Sequence, residues 1–248
     1  MNPAPAAPVA EIFSSLQGEG LRLGERQIFI RFAGCPWRCV YCDTPGSLDD
    51  AGHPRRTAAE ILARVDELQA ERRHSGVSLT GGEPVLRADF LAALIPELKT
   101  RGLEIHLETS ATHPVPFRKI AALCDVVAAD VKLPSAVGRP FWEEHRAFFE
   151  LAGAKAFAKV VLTSRTTEAE MERAVDLLAG LNPAPPLILQ PVTVLPSLEN
   201  RLSGASAPFI EFVRPPAADR VAVFYKAAKA RLPRVAVIPQ MHPIWGVP

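Results

Sequence analysis

Three of the four cysteines fall within eight residues, as Cys35-Pro36-Trp37-Arg38-Cys39-Val40-Tyr41-Cys42, and the fourth, Cys124, stands far along the chain. Such clustering favours a metal centre or redox chemistry over a disulfide framework. Soft thiolates suit zinc or an iron–sulfur cluster. A tetrahedral zinc site needs a fourth ligand, yet the nearest histidine is His53 and no paired Cys-x-x-Cys occurs elsewhere. The four-cysteine run of two-cluster ferredoxins is also absent. Three cysteines on a cubane cluster leave one iron without a protein ligand, where a small chelating molecule can bind. Cys124, beside Leu123, reads as a buried thiol acting as a small hydrophobe.

The elements that must carry this loop alternate. Short apolar runs predict strands at Gln27–Phe32, Val77–Thr80, Leu103–Thr109, Val126–Val131, Ala156–Leu162, Leu187–Gln190 and Val235–Ile238. Between them, Thr57–Arg72 presents Ile61, Leu62, Val65 and Leu68 on one face, with Thr57 and Glu60 spaced as a capping box. Further helices are expected at Asp89–Lys99, Phe117–Leu123, Pro140–Leu151, Thr167–Leu181 and Ala218–Arg231, with loops at Pro183–Pro186 and Pro196–Pro216. The pattern is that of an α/β chain around a mainly parallel sheet. Ligands gather at the carboxyl ends of parallel strands. The cysteine loop, Gly81-Gly82-Glu83, Glu108-Thr109-Ser110, Asp130-Val131-Lys132 and Gln190-Pro191 all fall there, so several polar groups converge on one rim.

The chain's 248 residues, 48% of them apolar, suffice for one sizeable core. Lys and Arg total 28 against 27 for Asp and Glu, a net charge of +1, which disfavours a dedicated nucleic-acid binder. No stretch approaches the roughly 18 apolar residues of a membrane span, and MNPAPAAPVA lacks the features of a secretion signal, so the chain is expected in the cytoplasm, away from membranes. Residues 1 to 10 read as a disordered tail, leaving 11 to 248 as one domain.

The spacing Cys35-x3-Cys39-x2-Cys42 with Tyr41 before the last cysteine, followed by Gly81-Gly82-Glu83-Pro84, resembles the cluster loop and glycine-rich motif of the radical S-adenosylmethionine superfamily. The leader Glu11-Ile12-Phe13-Ser14-Ser15-Leu16-Gln17-Gly18-Glu19-Gly20, with Arg31-Phe32-Ala33-Gly34-Cys35, Cys42-Asp43-Thr44 and Glu108-Thr109-Ser110, resembles the 7-carboxy-7-deazaguanine synthase family within it. Ala111 stands where that family usually has Gly. The resemblance implies a partial (β/α) barrel of about six parallel strands with outer helices. It also implies a radical lyase of queuosine and deazapurine biosynthesis, which converts 6-carboxy-5,6,7,8-tetrahydropterin to 7-carboxy-7-deazaguanine with loss of ammonia. No catalytic side chain is required, because the cofactors carry the hard chemistry.

By the same resemblance, Cys35, Cys39 and Cys42 hold a 4Fe-4S cluster and Thr44 binds Mg2+. S-adenosylmethionine contacts fall to Tyr41 and Asp43, to Gly81, Gly82 and Glu83, to Glu108, to Asp130, Val131 and Lys132, and to Gln190, Pro191, Val192 and Thr193. Substrate contacts fall to Leu16, Gln17, Gly18 and Glu19, to Arg31 and Thr80, and to His242 and Pro248 at the C-terminus. Physical chemistry supports some of these. An Arg at position 31 offers a planar fork to a carboxylate, with a structural ion pair as the plain alternative. Gln17 and Glu19, two apart on an extended segment, share one face. Elsewhere Glu19 would be a solvated carboxylate, Glu83 a helix cap, Thr44 a turn residue and Lys132 an exposed or ion-paired lysine. An external one-electron donor, flavodoxin-like or ferredoxin-like, and a homodimer are implied as well. Two rivals remain. An activase installing a glycyl radical on a partner protein would share the cluster motifs but not the pterin contacts, and a zinc-binding module would need no polar rim.

Overall fold

The computed structural model describes residues 4–193 and 214–248. Among the described residues nine strands form one sheet: β1 (Ala6–Leu16), β2 (Arg26–Phe32), β3 (Arg55–Thr57), β4 (Gly76–Gly81), β5 (Glu104–Thr109), β6 (Val126–Asp130), β7 (Ala156–Leu162), β8 (Leu187–Pro191) and β9 (Val235–Val237). Their order is β3-β1-β2-β4-β5-β6-β7-β8-β9. From β2 to β9 every neighbouring pair is parallel, while β1 runs antiparallel to both β2 and β3. The α-helices of the described residues are α1 (Ala58–Glu71), α2 (Ala88–Thr100), α3 (Pro114–Phe117), α4 (Pro134–Val137), α5 (Trp142–Ala152), α6 (Glu168–Ala179), α7 (Ala218–Lys229) and α8 (His242–Trp245). Parallel neighbours need crossovers, and helices supply them.

The strands alternate with a period of two. Ile28, Ile30 and Phe32, then Val77 and Leu79, Ile105 and Leu107, Val127 and Ala129, Ala158, Val160 and Leu162, and Leu187 and Leu189 turn outward into one core shared with the helices. The opposite parity faces inward. It brings Phe29 and Arg31, Thr80, Glu108, Ala128 and Asp130, Lys159 and Val161, and Gln190 to a common cavity. The outward side of the sheet is therefore mostly apolar, and the inward side carries the polar residues that line the cavity.

The predicted strands and most predicted helices appear within a residue or two of their expected limits. Thr57 accepts from Glu60 N (3.3 Å) and Glu60 from Thr57 N (2.7 Å), the expected capping box, and Thr167 and Glu170 form another on α6. Two expectations are corrected. Residues 6 to 10 are not a tail: Ala6 opens β1, Ala7 and Val9 are buried, and Ala6, Ala7 and Pro8 pair with Thr57, Arg56 and Arg55. Ala and Pro carry little strand propensity, so pairing with β3 decides the conformation there. The helix expected at Phe117–Leu123 instead ends at Phe117 and continues as turns, in which Phe117 O accepts from Ile120 and Ala121. Phe117, fully buried and stacked on Phe148, anchors those turns. Of the loop expected at Pro196–Pro216, residues 196–213 lie outside the described residues.

Candidate active site

The carboxyl ends of the parallel strands open onto a cavity of about 1210 Å³, its mouth included. All three clustered cysteines line it, as do Thr44, Tyr41 and Asp43 from the same loop. The loop is tied down at several points: Gly34 N donates to Ser47 O (2.9 Å), Cys35 N to Leu48 O (2.8 Å) and Val40 N to Ala136 O (3.1 Å). Trp37, between the first two cysteines, donates from Nε1 to Thr112 Oγ1 (3.0 Å) and meets Phe141 edge-on at 4.4 Å. Burial pushes the Cys35 thiol up to about 11 and raises that of Cys42, and a thiol gives up its proton when it becomes a metal ligand.

Gly81 and Gly82 make the next wall. Gly81 has φ +117°, and a Cβ there would lie 2.2 Å from Phe32 O; at Gly82 it would lie 2.3 Å from Gly34 O. The close backbone approach of β4 to the cysteine loop thus requires glycine at both positions. Glu83 follows but does not face the cavity. Its buried carboxylate accepts from Val85 N (3.1 Å), Thr109 Oγ1 (2.7 Å), Ser110 N (2.8 Å) and Ser110 Oγ, capping the turn after β4 and stapling it to the end of β5. Its acceptor sites are spent on protein donors, so the structure does not bring this side chain to the cavity where the contact with S-adenosylmethionine is expected. Ala111 adopts φ +53°, the left-handed conformation that suits the family's glycine, at a cost of roughly 1 kcal/mol. Bonds from Ala111 N to Thr109 Oγ1 (3.2 Å) and between Ala111 O and His145 Nδ1 (3.1 Å) hold it.

On the far side, Lys132 Nζ pairs with Asp130 Oδ2 at 2.7 Å and sits 5.2 Å above the Tyr41 ring, which packs against Val161 and Val192. Gln190 is fully buried at the cavity wall, and among the described residues neither its Nε2 nor its Oε1, nor Asp130 Oδ1, has a hydrogen-bond partner. Buried polar atoms left open in this way await a ligand or water. Val131 turns its side chain into the outer core, and Pro191 and Thr193 do not line the cavity, so the structure does not bring these three side chains to it.

Leu16, Gln17, Gly18, Glu19, Arg31, Thr80, His242 and Pro248 all line the cavity. Glu108 joins them: its carboxylate accepts from Gln17 Nε2 (2.8 Å), Ser78 Oγ (2.6 Å) and Thr80 Oγ1 (2.9 Å), which ties it to the leader's side of the site. Arg31 lies beside Thr80 in the ladder, has Phe13 beneath its guanidinium at 5.4 Å, and has a buried Nε that makes no hydrogen bond among the described residues. The same Nε forms a long ion pair, 3.7 Å, with the exposed Glu11. Such a pair contributes about 0–1 kcal/mol.

Sequence reasoning missed Lys159 and Gln240. Lys159 reaches in from β7 to pair with Glu19 and lies 3.8 Å from Asp130. Burial by itself would raise the Glu19 carboxyl, but Lys159, Gln240 and His242 pull it down to about 2. Burial works against the Lys159 charge, yet Glu19, Asp130 and Glu108 raise its pKa above the ordinary range. Asp43 is raised by burial and by Glu19. A lysine of inward parity in an otherwise apolar strand was the available signal for Lys159; for Gln240 there was none. The C-terminal segment closes over the leader: Met241 N donates to Gly18 O (2.8 Å) and Ser15 Oγ to Pro248 O (3.1 Å).

The donor set fits a cubane cluster with a chelating cofactor. Among the described residues no three His, Cys, Asp or Glu side chains converge to hold a single metal ion, as a zinc module requires. Three loop thiols facing one cavity, beside a glycine wall and unpartnered polar atoms, suit three irons of a cluster and a polar ligand at the fourth.

Comparison with known proteins agrees with this geometry. Residues 29–178 match the model of the radical SAM superfamily. The 7-carboxy-7-deazaguanine synthase of Geobacter sulfurreducens is 38% identical over 208 residues, covering 76% of this chain and 83% of that protein. Its namesake from Methanopyrus kandleri is 38% identical over 212 residues, covering 77% and 83%. The crystal structure of QueE from Escherichia coli superposes with a TM-score of 0.63 at 23% identity, covering 94% of this chain and 93% of that one, a likeness of fold. Among the described residues no helix is long and apolar enough to cross a membrane.

Proposed function

Because the chain belongs to the radical S-adenosylmethionine superfamily and, within it, to the 7-carboxy-7-deazaguanine synthase family, we propose that its cavity takes 6-carboxy-5,6,7,8-tetrahydropterin and that the residues around it divide the labour as follows. When bound through Cys35, Cys39 and Cys42, the cluster with S-adenosylmethionine supplies the radical that abstracts hydrogen from the pterin. Everything else is positioning by the chain. Gly81 and Gly82 admit the cofactor's amino-acid end against backbone, and Tyr41 with Val161 and Val192 offers an apolar slot for its adenine. Asp130, Lys132 and Gln190 present the polar atoms for its ribose and carboxylate.

The observation that carries the substrate reading is the open Arg31 guanidinium in the same cavity as a ring of acceptors and donors, Gln17, Glu19 and Glu108. Arg31 holds the pterin carboxylate with two parallel hydrogen bonds. Glu19, kept ionised by Lys159, accepts from the amino-pyrimidinone edge, and Gln17 and Thr80 complete its recognition. Thr44 and Asp43 lie at the cavity wall beside the cysteine loop, and Thr44 would supply an oxygen ligand to Mg2+. His242 and Pro248 cover the substrate and exclude water, which a radical reaction requires. A glycyl-radical activase has no use for Gln17, Glu19 and Arg31 in this arrangement. The external flavodoxin-like or ferredoxin-like reductant, the homodimer, the cytoplasmic location and the product's use in tRNA modification rest on family membership.

The test is anaerobic turnover of reconstituted protein with reductant, S-adenosylmethionine, Mg2+ and the pterin, read by mass for 7-carboxy-7-deazaguanine and 5′-deoxyadenosine. Product at many turnovers per cofactor supports the reading. Deoxyadenosine without the deazaguanine keeps the radical chemistry and discards this substrate.

A further inference from the structure

We infer that Gln240 is a positioning residue whose single side-chain amide fastens Glu19 of the leader to Asp43 of the cysteine loop, so that the pterin contacts and the cofactor loop are held in one geometry by the C-terminal cap. The inference rests on the pterin reading above.

Gln240 is buried between β9 and α8. Its Oε1 accepts from Thr193 N (3.2 Å), just past β8. A backbone N–H at that end identifies the oxygen, so the NH2 group points inward. Nε2 donates to Glu19 Oε1 (2.9 Å) and to Asp43 Oδ2 (3.0 Å). Both amide hydrogens are therefore spent, each in a charge-assisted bond. The next residue, Met241, anchors its N–H on Gly18 O (2.8 Å), and His242 Nε2 lies 3.7 Å from Asp43.

Four segments distant in sequence meet at this amide: the leader, the cysteine loop, the end of β8 and the cap. Two carboxylates converging on one point repel unless a donor stands between them, and among the described residues no other side chain donates to both. Lys159 serves Glu19 from the opposite side. The chemistry specifies glutamine closely. Glutamate would add a third carboxylate, methionine of similar length cannot donate, and asparagine is one methylene short.

Gln240→Glu and Gln240→Met are compared with wild type in the reconstituted full-length protein. Iron content and S-adenosylmethionine binding are measured first. Pterin affinity is then measured without reductant by equilibrium dialysis, and the deoxyadenosine released per deazaguanine is measured with reductant. We expect unchanged iron content, pterin binding weakened about tenfold or more, as loss of a charge-assisted hydrogen bond implies, and deoxyadenosine per product raised severalfold. Wild-type affinity and wild-type deoxyadenosine yield in both variants would overturn the inference alone. Loss of the cluster in both would make Gln240 a structural support of the loop and overturn the positioning role. A wild-type protein that binds no pterin would overturn the substrate reading, and this inference with it.

Discussion

Gly18→Ala isolates the contribution of the C-terminal cap. Gly18 lies outside the left-handed backbone region, so alanine is conformationally acceptable there. The added Cβ, however, would stand 2.6 Å from His242 Cβ and 2.7 Å from His242 N, where ordinary contact begins at 3.4 Å, so the cap must retreat by about 0.8 Å. That retreat strains the bonds from Met241 N to Gly18 O and from Gln240 to Glu19 and Asp43. A misplacement near 1 Å costs about 10²-fold in a positioned reaction, or about 2.7 kcal/mol of transition-state stabilisation. Stability should fall by only about 1 kcal/mol, the low end for overpacking, because a terminal segment can swing away. Anaerobic kinetics with the pterin varied read the first quantity, and thermal unfolding with the cluster's absorbance reads the second. Gly24→Ala provides the contrast: its Cβ meets nothing but φ is +82°, so it should lose stability and keep its activity. If Gly18→Ala retains kcat/KM within about threefold of wild type, the cap does not position the substrate and the argument fails.

Arg31→Ala should abolish ring contraction while leaving the cluster and, within about 1 kcal/mol, the stability intact, since its ion pair with the exposed Glu11 is long; loss of the cluster would make Arg31 structural. Glu19 has a folded pKa of about 2, below the unfolded value near 4.5, so its stabilisation is complete above pH 4.5 and is lost as pH falls toward 2. Acid unfolding curves of wild type and Glu19→Gln should therefore converge between those pH values, by about 3 kcal/mol in all; parallel curves would contradict the Lys159 pairing. Thr44→Val should weaken the response of turnover to added Mg2+ after chelation, and an unaltered Mg2+ titration would remove Thr44 as the ligand. Cys124 is fully buried with its thiol raised to about 12 by burial, so alkylation of folded, cluster-free protein should spare it until denaturant is added. Labelling of Cys124 before unfolding would show the core to be open there.

The cysteine loop, the glycine wall and the strand-end polar groups were legible because each is local. Ligand atoms within a few residues of one another move together, and period-two strands assign each residue to one face. The composition of Ala6 to Ala10 carries no strand signal and suggests a tail; pairing with β3 and β2 makes it a strand. Glu83 and Glu108 show the limit of motif reading. Both are acidic residues at strand ends, yet Glu83 staples two turns from within while Glu108 faces the cavity.

Residue types and their spacing supply the available chemistry: an arginine fork on the strand before the loop, three thiols on that loop, and a glycine pair after the next inner strand. Which groups hold which was decided only by the tertiary structure. Lys159 is 140 residues from Glu19 and Gln240 is 221 residues from it, yet both bond to the same carboxylate. Such contacts depend on the curvature of the whole sheet and on the path of the segment after β9. A buried charge takes its partner from whatever the fold brings within about 3 Å, and no local pattern encodes that distance.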